Sequence, residues 1–278
     1  MGKLYEYLQF DFVRNALIVG VLIALAAALL GIVLVLKRFS FIGESLSRVA
    51  FCTVMVAGAA GLSNNIFITL VITVSFSVLL MRNNNKAKIS GDSLTAMTAV
   101  GSLAIGYLFI NLFPQSSNVS SDVCSVLFGS TSILTLSSAQ VIISIVLAAA
   151  VLIAFVLFYN KLFSVTFDSD FAQVSSGGVK IYNVAISVFI AVIVTLATNL
   201  VGSLLMTALL IFPTLSAMRV FISFKGVSVC ASITSVGCAL SGMLIAILLG
   251  TPVGATIVAC NIVVFVAFTA IGAIVRRK

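Results

Sequence analysis

The sequence predicts an all-α, polytopic integral membrane protein with about eight to nine transmembrane helices. The 278 residues are 62% hydrophobic and only 8% charged, whereas soluble domains run at roughly 45–50% apolar and 25% charged. Mean hydropathy is +1.30. Apolar stretches recur from one end of the chain to the other, many near the roughly 20 residues that cross a bilayer. A water-soluble domain is excluded by composition alone.

The apolar runs cover, in order, about 12–36, 46–62, 65–81, 93–113, 133–158, 181–200, 202–222, 227–249 and 255–275. Nine spans is the direct count, and eight is compatible with it. The first run is longer than the core of a signal peptide and many spans follow, so cleavage is not expected. The longest polar stretches, 82–92, 114–125 and 159–180, are too short to fold separately. The chain therefore reads as a single transmembrane domain, 1–278. Small residues four apart, namely Ala24 with Ala28, Ala27 with Gly31, and Gly237 with Ser241, read as ordinary helix packing.

Orientation follows from the 15 basic residues. With nine spans and the C-terminus inside, Lys37, Arg38, Arg82, Lys86, Lys88, Lys161, Lys180, Arg219, Lys225, Arg276, Arg277 and Lys278 face the cytoplasm. Only Lys3 and Arg14 fall outside and Arg48 lies within a span, which satisfies the positive-inside rule. The basic excess is thus explained by inner loops, and no nucleic-acid partner is expected. The N-terminus faces outward on this assignment, although the first dozen residues could lie along the surface instead.

Several chemistries are excluded. The chain has no histidine, which removes Ser-His-Asp and Cys-His catalysis and every imidazole metal site. Cys52, Cys124, Cys230, Cys238 and Cys260 form no CxxC pair and read as small packing residues. No GxxxxGK[ST] loop is present, so this chain does not cradle nucleotide phosphates. There are no paired aspartates within spans and no HExxH, so no intramembrane enzyme is expected.

Three features stand above that background. Glu44 and Arg48 enter the start of the second span four residues apart, on one helix face where they can pair. Ionisable residues inside a membrane mark transport pathways by default, and an interfacial Glu with a snorkelling Arg is the competing reading. The second feature is the amphipathic stretch 157–172 followed by Ser175-Ser176-Gly177-Gly178, with Asp168 placed to start a short helix. Such a segment suits docking onto a soluble partner as well as a plain interfacial role. The third is the run Thr195, Asn199, Ser203 and Thr207, interrupted by Gly202. These polar groups must face the bundle interior, to bond neighbouring helices or to line a path.

The segment Ser40-Phe41-Ile42-Gly43-Glu44-Ser45-Leu46-Ser47-Arg48-Val49-Ala50 resembles the Ser-Phe-Ile-Gly-Asp-Ala-Leu-Ser-His-Ala motif of the membrane permeases of zinc, manganese and iron ABC importers. Further matches follow in order: Leu127-Phe128-Gly129, Phe167-Asp168-Ser169-Asp170-Phe171-Ala172, Ala208-Leu209-Leu210-Ile211-Phe212-Pro213 and Pro252-Val253-Gly254-Ala255-Thr256-Ile257-Val258. The resemblance implies a plasma-membrane permease working by alternating access as a homodimer. It implies cytoplasmic ATPase subunits that hold the ATP and an extracytoplasmic solute-binding protein, with no cofactor on this chain. It places a coupling helix near 166–174, with Phe167, Asp168, Asp170 and Phe171 meeting the ATPase.

By the same resemblance the substrate path includes Glu44, at the acid position and the tentative metal contact, and Arg48, at the histidine position. Cys52, Asn199 and Ser203 are further candidates for the path. Arginine has no lone pair for a metal, so Arg48 either gates the path by pairing with Glu44 or attracts a metal chelate or other anionic cargo. The acidic residue that the family carries ahead of the late proline is replaced by Gly250-Thr251. A secondary carrier driven by an ion gradient, with Glu44 or Asp92 as relay, is the alternative of a different class.

Overall fold

A computed structural model describes residues 10–37, 40–59, 66–84, 91–113, 138–167, 179–200 and 202–275. Among them lie ten helices: α1 (Asp11–Leu36), α2 (Ser40–Ala59), α3 (Ile66–Asn84), α4 (Gly91–Leu112), α5 (Ser138–Leu157), α6 (Tyr159–Phe167), α7 (Val179–Leu200), α8 (Ser203–Val220), α9 (Phe224–Leu249) and α10 (Val253–Val275). Nine of them have 18 residues or more and correspond one to one with the apolar runs. Six described helices meet both the length and the apolarity needed to span, and the bent pair α5 and α6 makes up to seven. The helix α2 is 20 residues long and carries Ser40, Glu44, Ser45, Ser47 and Arg48 in its first half. A helix this polar must find its partners in protein rather than in lipid.

The centre of the bundle is α1 with α7 and α8. Ile23, Ala24, Ala27, Ala28 and Ile32 of α1 are fully buried, as are Ala191, Ile193, Val194 and Thr195 of α7. Small residues let the central helices approach closely. A Cβ on Gly31 would lie 2.1 Å from the Leu210 carbonyl oxygen of α8, and one on Gly242 of α9 would lie 2.7 Å from the Ile257 Cα of α10. Buried hydroxyls close the helix contacts: Ser235 Oγ donates to Ala24 O at 2.8 Å, and Ser77 Oγ to Ser187 O at 2.9 Å. The outer helices carry exposed apolar side chains, including Met97, Val100, Ile142, Val146, Val263 and Ile274.

One end of the bundle gathers the basic residues. Lys37, at the C-cap of α1, donates to Asn183 Oδ1 near the start of α7. The short helix α6 turns 70° from α5 and lies against the start of α9, with the Tyr159 and Phe163 rings each 5.2 Å from Phe224. Its Leu162 and Val165 point inward while Asn160 and Lys161 are exposed. The end of α8 meets α10 where Gly272 touches Arg219. Lys37, Lys161, Arg219 and Lys225 therefore share one side and Arg14 lies at the opposite end of α1, as the charge pattern predicts.

Burial of Lys37 pushes its ammonium down from 10.5 to about 8. The unfolded chain then binds a proton between pH 8 and 10.5 that the folded chain does not, so stability rises with pH through that window. Thermal unfolding of the purified chain is expected to shift upward between pH 8 and 10, and this gain is expected to be missing in Lys37→Met. An identical pH profile in the variant would remove Lys37 from the account.

Candidate functional site

The helix α2 brings the intramembrane charges together. Glu44 is its fifth residue and Arg48 its ninth, so one turn separates them on the same face. Arg48 Nη2 lies 3.5 Å from Glu44 Oε1, with side-chain exposures of 25% and 41% respectively. The pair is therefore partly accessible rather than fully buried. Every other Asp, Glu, Lys or Arg in the ten helices lies in a first or last turn.

Two further faces of α2 fix the pair in position. Ser47 Oγ donates to the Ser203 carbonyl at 2.8 Å and lies 3.5 Å from Thr198 Oγ1, which ties α2 to the junction of α7 and α8. On another face Cys52 packs on α4, the helix α2 contacts most extensively. A Cβ on Gly106 there would lie 3.1 Å from Cys52 Cα. The thiol, eight residues beyond Glu44, is rotated about 80° around the helix from it.

The junction itself is unusual for a connection. Gly202 has φ 100° and ψ 154°, a region essentially reserved for glycine, and both Gly202 and Ser203 are buried. A buried turn leaves main-chain groups to be satisfied from inside the bundle. Ser47 supplies one such bond, and Gly202 N donates to Ala197 O at 3.1 Å. The Ser203 hydroxyl is buried and has no hydrogen-bond partner among the described residues.

The remaining residues of the polar run turn back on their own helices. Thr195 Oγ1 donates to Ala191 O at 2.7 Å, Asn199 Nδ2 to Thr195 O at 2.8 Å and Thr207 Oγ1 to Leu204 O at 2.9 Å. They are satisfied without bridging helices, as Ser and Thr commonly are in apolar surroundings. The structure thus unites Glu44 with Arg48, links α2 through Ser47 to Ser203, leaves Asn199 bonded within α7, and turns Cys52 toward α4. Sequence reasoning missed Ser47, Thr198 and Gly106. The signal for Ser47 was a hydroxyl next to Arg48 in a span, whereas nothing in the sequence pairs Gly106 with Cys52.

Of the segment expected to meet a soluble partner, Phe167 closes α6, while Asp168, Asp170 and Phe171 lie outside the described residues, as do Cys124 and the Leu127-Phe128-Gly129 match. The described amphipathic helix begins at Tyr159, well ahead of Asp168, because Leu162 and Val165 find buried sites against the bundle.

Comparison with known proteins gives a consistent picture. The chain matches the ABC 3 transport family over residues 9–272. It is 25% identical over 265 residues to the manganese import system permease protein ScaB of Streptococcus gordonii, covering 94% of this chain and 92% of that one. It is 26% identical over 259 residues to the high-affinity zinc uptake system membrane protein ZnuB of Haemophilus influenzae, covering 93% and 97%. Its fold is that of a chain in the structure of PsaBC from Streptococcus pneumoniae in complex with Fab, with a TM-score of 0.83 at 23% identity over 96% of this chain and 94% of that one.

Proposed function

Given that the chain belongs to the ABC 3 transport family, we propose that it is the permease of an ATP-driven importer for divalent metal ions of the manganese, zinc and iron class. It is a multi-pass plasma-membrane transport subunit rather than an enzyme. The relatives named for manganese import and zinc uptake support the cargo class. ATP is bound and hydrolysed on separate cytoplasmic subunits, and a solute-binding protein delivers the metal from outside.

The observation that carries the reading is the Glu44 and Arg48 pair, 41% and 25% exposed on the flank of a membrane helix. Charges turned toward hydrocarbon cost several kcal/mol, so this flank faces a hydrated path. A second copy of the chain completes that path, and the dimer alternates between openings to the two sides. ATPase motion enters through 166–174, which begins in the last residues of α6, whose Tyr159 and Phe163 rest on the start of α9.

The test is uptake of Mn²⁺ or Zn²⁺ into vesicles containing the full assembly. Uptake is expected to require ATP and all the subunits. Reversing Asp168 and Asp170 to Lys is expected to cut ATP-driven uptake at least about tenfold, through loss of charge-assisted contacts, while membrane insertion stays normal. Uptake by the isolated chain along an ion gradient would instead establish the secondary-carrier reading.

A further inference from the structure

Glu44 is the one acid of the ten helices that lies beyond a terminal turn, and its carboxylate is already matched by Arg48 at 3.5 Å. The pair therefore presents no net negative charge to an arriving dication. Nitrogen and sulfur ligands are also lacking there among the described residues: the chain has no histidine, and Cys52 packs on Gly106. Among the described residues no group of three or more His, Cys, Asp and Glu could hold a metal ion.

We propose that Arg48 is a tethered counter-ion which each divalent cation must displace from Glu44, making Glu44 an oxygen-only transit point that does not choose among first-row metals. This rests on the reading of the chain as a metal-importer permease. A guanidinium cannot lose its proton, so the displaced Arg48 remains cationic and keeps pressing on the occupied site. Binding is consequently weak and brief, as passage requires. Selection among these metals by a protein depends largely on nitrogen and sulfur ligands and on fixed geometry. One carboxylate completed by water supplies neither, so the choice of metal is made before the ion reaches this chain.

The experiment is Mn²⁺ titration of the full chain in lipid nanodiscs, with the free aquo-ion read by electron paramagnetic resonance and Zn²⁺ read by competition. Arg48→Gln is expected to tighten Mn²⁺ and Zn²⁺ together by about tenfold, because an electrostatic competitor acts on every dication alike. Arg48→Lys keeps the competing charge and is expected to stay within about twofold of the parent. Combining Glu44→Gln with Arg48→Gln restores neutrality and is expected to cancel the gain. An unchanged affinity in Arg48→Gln, a gain for one metal only, or a gain that survives loss of Glu44 would each overturn the proposal. If the parent binds Mn²⁺ through Glu44 without any effect of Arg48, only this inference fails. If no form of the chain binds either metal, the metal reading fails with it.

Discussion

Glu44→Gln is expected to lower ATP-driven metal uptake by roughly one to two orders of magnitude, the range that follows from losing a charged partner worth about 1.5–3 kcal/mol. Gln keeps the size of the side chain and can still accept from Arg48, so the variant removes charge rather than shape. Two consequences follow, and they can be separated. The path loses the one acid of the described helices that lies beyond a terminal turn, and Arg48 becomes an uncompensated cation on a membrane helix. Removing one partner of a buried pair destabilises strongly because it strands the other, and the partial exposure of this pair reduces that penalty. The double variant Glu44→Gln with Arg48→Gln removes both charges, so thermal stability is expected to return toward that of the parent while uptake stays low. Uptake that returned with stability would mean that Glu44 serves the fold and does not touch the cargo.

Much of the helical layout was legible because apolar length is a direct physical signal. The run 12–36 became Asp11–Leu36 and the run 181–200 became Val179–Leu200, since a helix satisfies the main chain of such a stretch in lipid from within the stretch itself. Where boundaries moved, polar residues were the reason. The run at 46–62 starts six residues after α2 does, because Ser40, Glu44 and Ser45 interrupt the apolar pattern without breaking the helix. Likewise α9 begins at Phe224 rather than 227, where the Ser223 hydroxyl accepts from Gly226 N at 3.2 Å and caps its first turn.

The site was legible in part. Four-residue spacing is enough to pair Glu44 with Arg48, because helix geometry alone puts them on one face. Spacing carries no information about which neighbouring helix a face meets. Cys52 continues the same series of residues, yet the drift of the 3.6-residue turn carries it to α4 and Gly106. Ser203 and Asn199 were singled out from their spacing, but the bond from Ser47 that joins their turn to α2 spans 156 positions. No local pattern encodes such a contact.

The same limit governs the largest stability effect. Ala27 with Gly31 and Gly237 with Ser241 look alike as small-residue pairs, and the structure makes them opposites. A Cβ on Gly31 would lie 2.1 Å from Leu210 O, 2.9 Å from Leu210 C and 3.0 Å from Thr214 Oγ1, whereas one on Gly237 meets nothing within 4 Å. The atoms facing Gly31 are mostly main chain in the middle of α8 and cannot rotate aside. Thr214 Oγ1 also donates to Leu210 O at 3.1 Å and lies 3.5 Å from Ala28 O, so pushing α8 away disturbs the hydroxyl that sits in the crossing. Gly31→Ala is expected to destabilise by about 1–3 kcal/mol despite its better helix propensity, and Gly31→Val by at least about 3 kcal/mol, with little folded chain recovered. Gly237→Ala is expected to be neutral or to stabilise by up to about 1 kcal/mol, since only propensity changes there. Thermal unfolding monitored by size-exclusion chromatography in detergent reads all three variants. Equal tolerance at positions 31 and 237 would mean that α1 and α8 do not cross at Gly31, and the central packing described above would have to be redrawn.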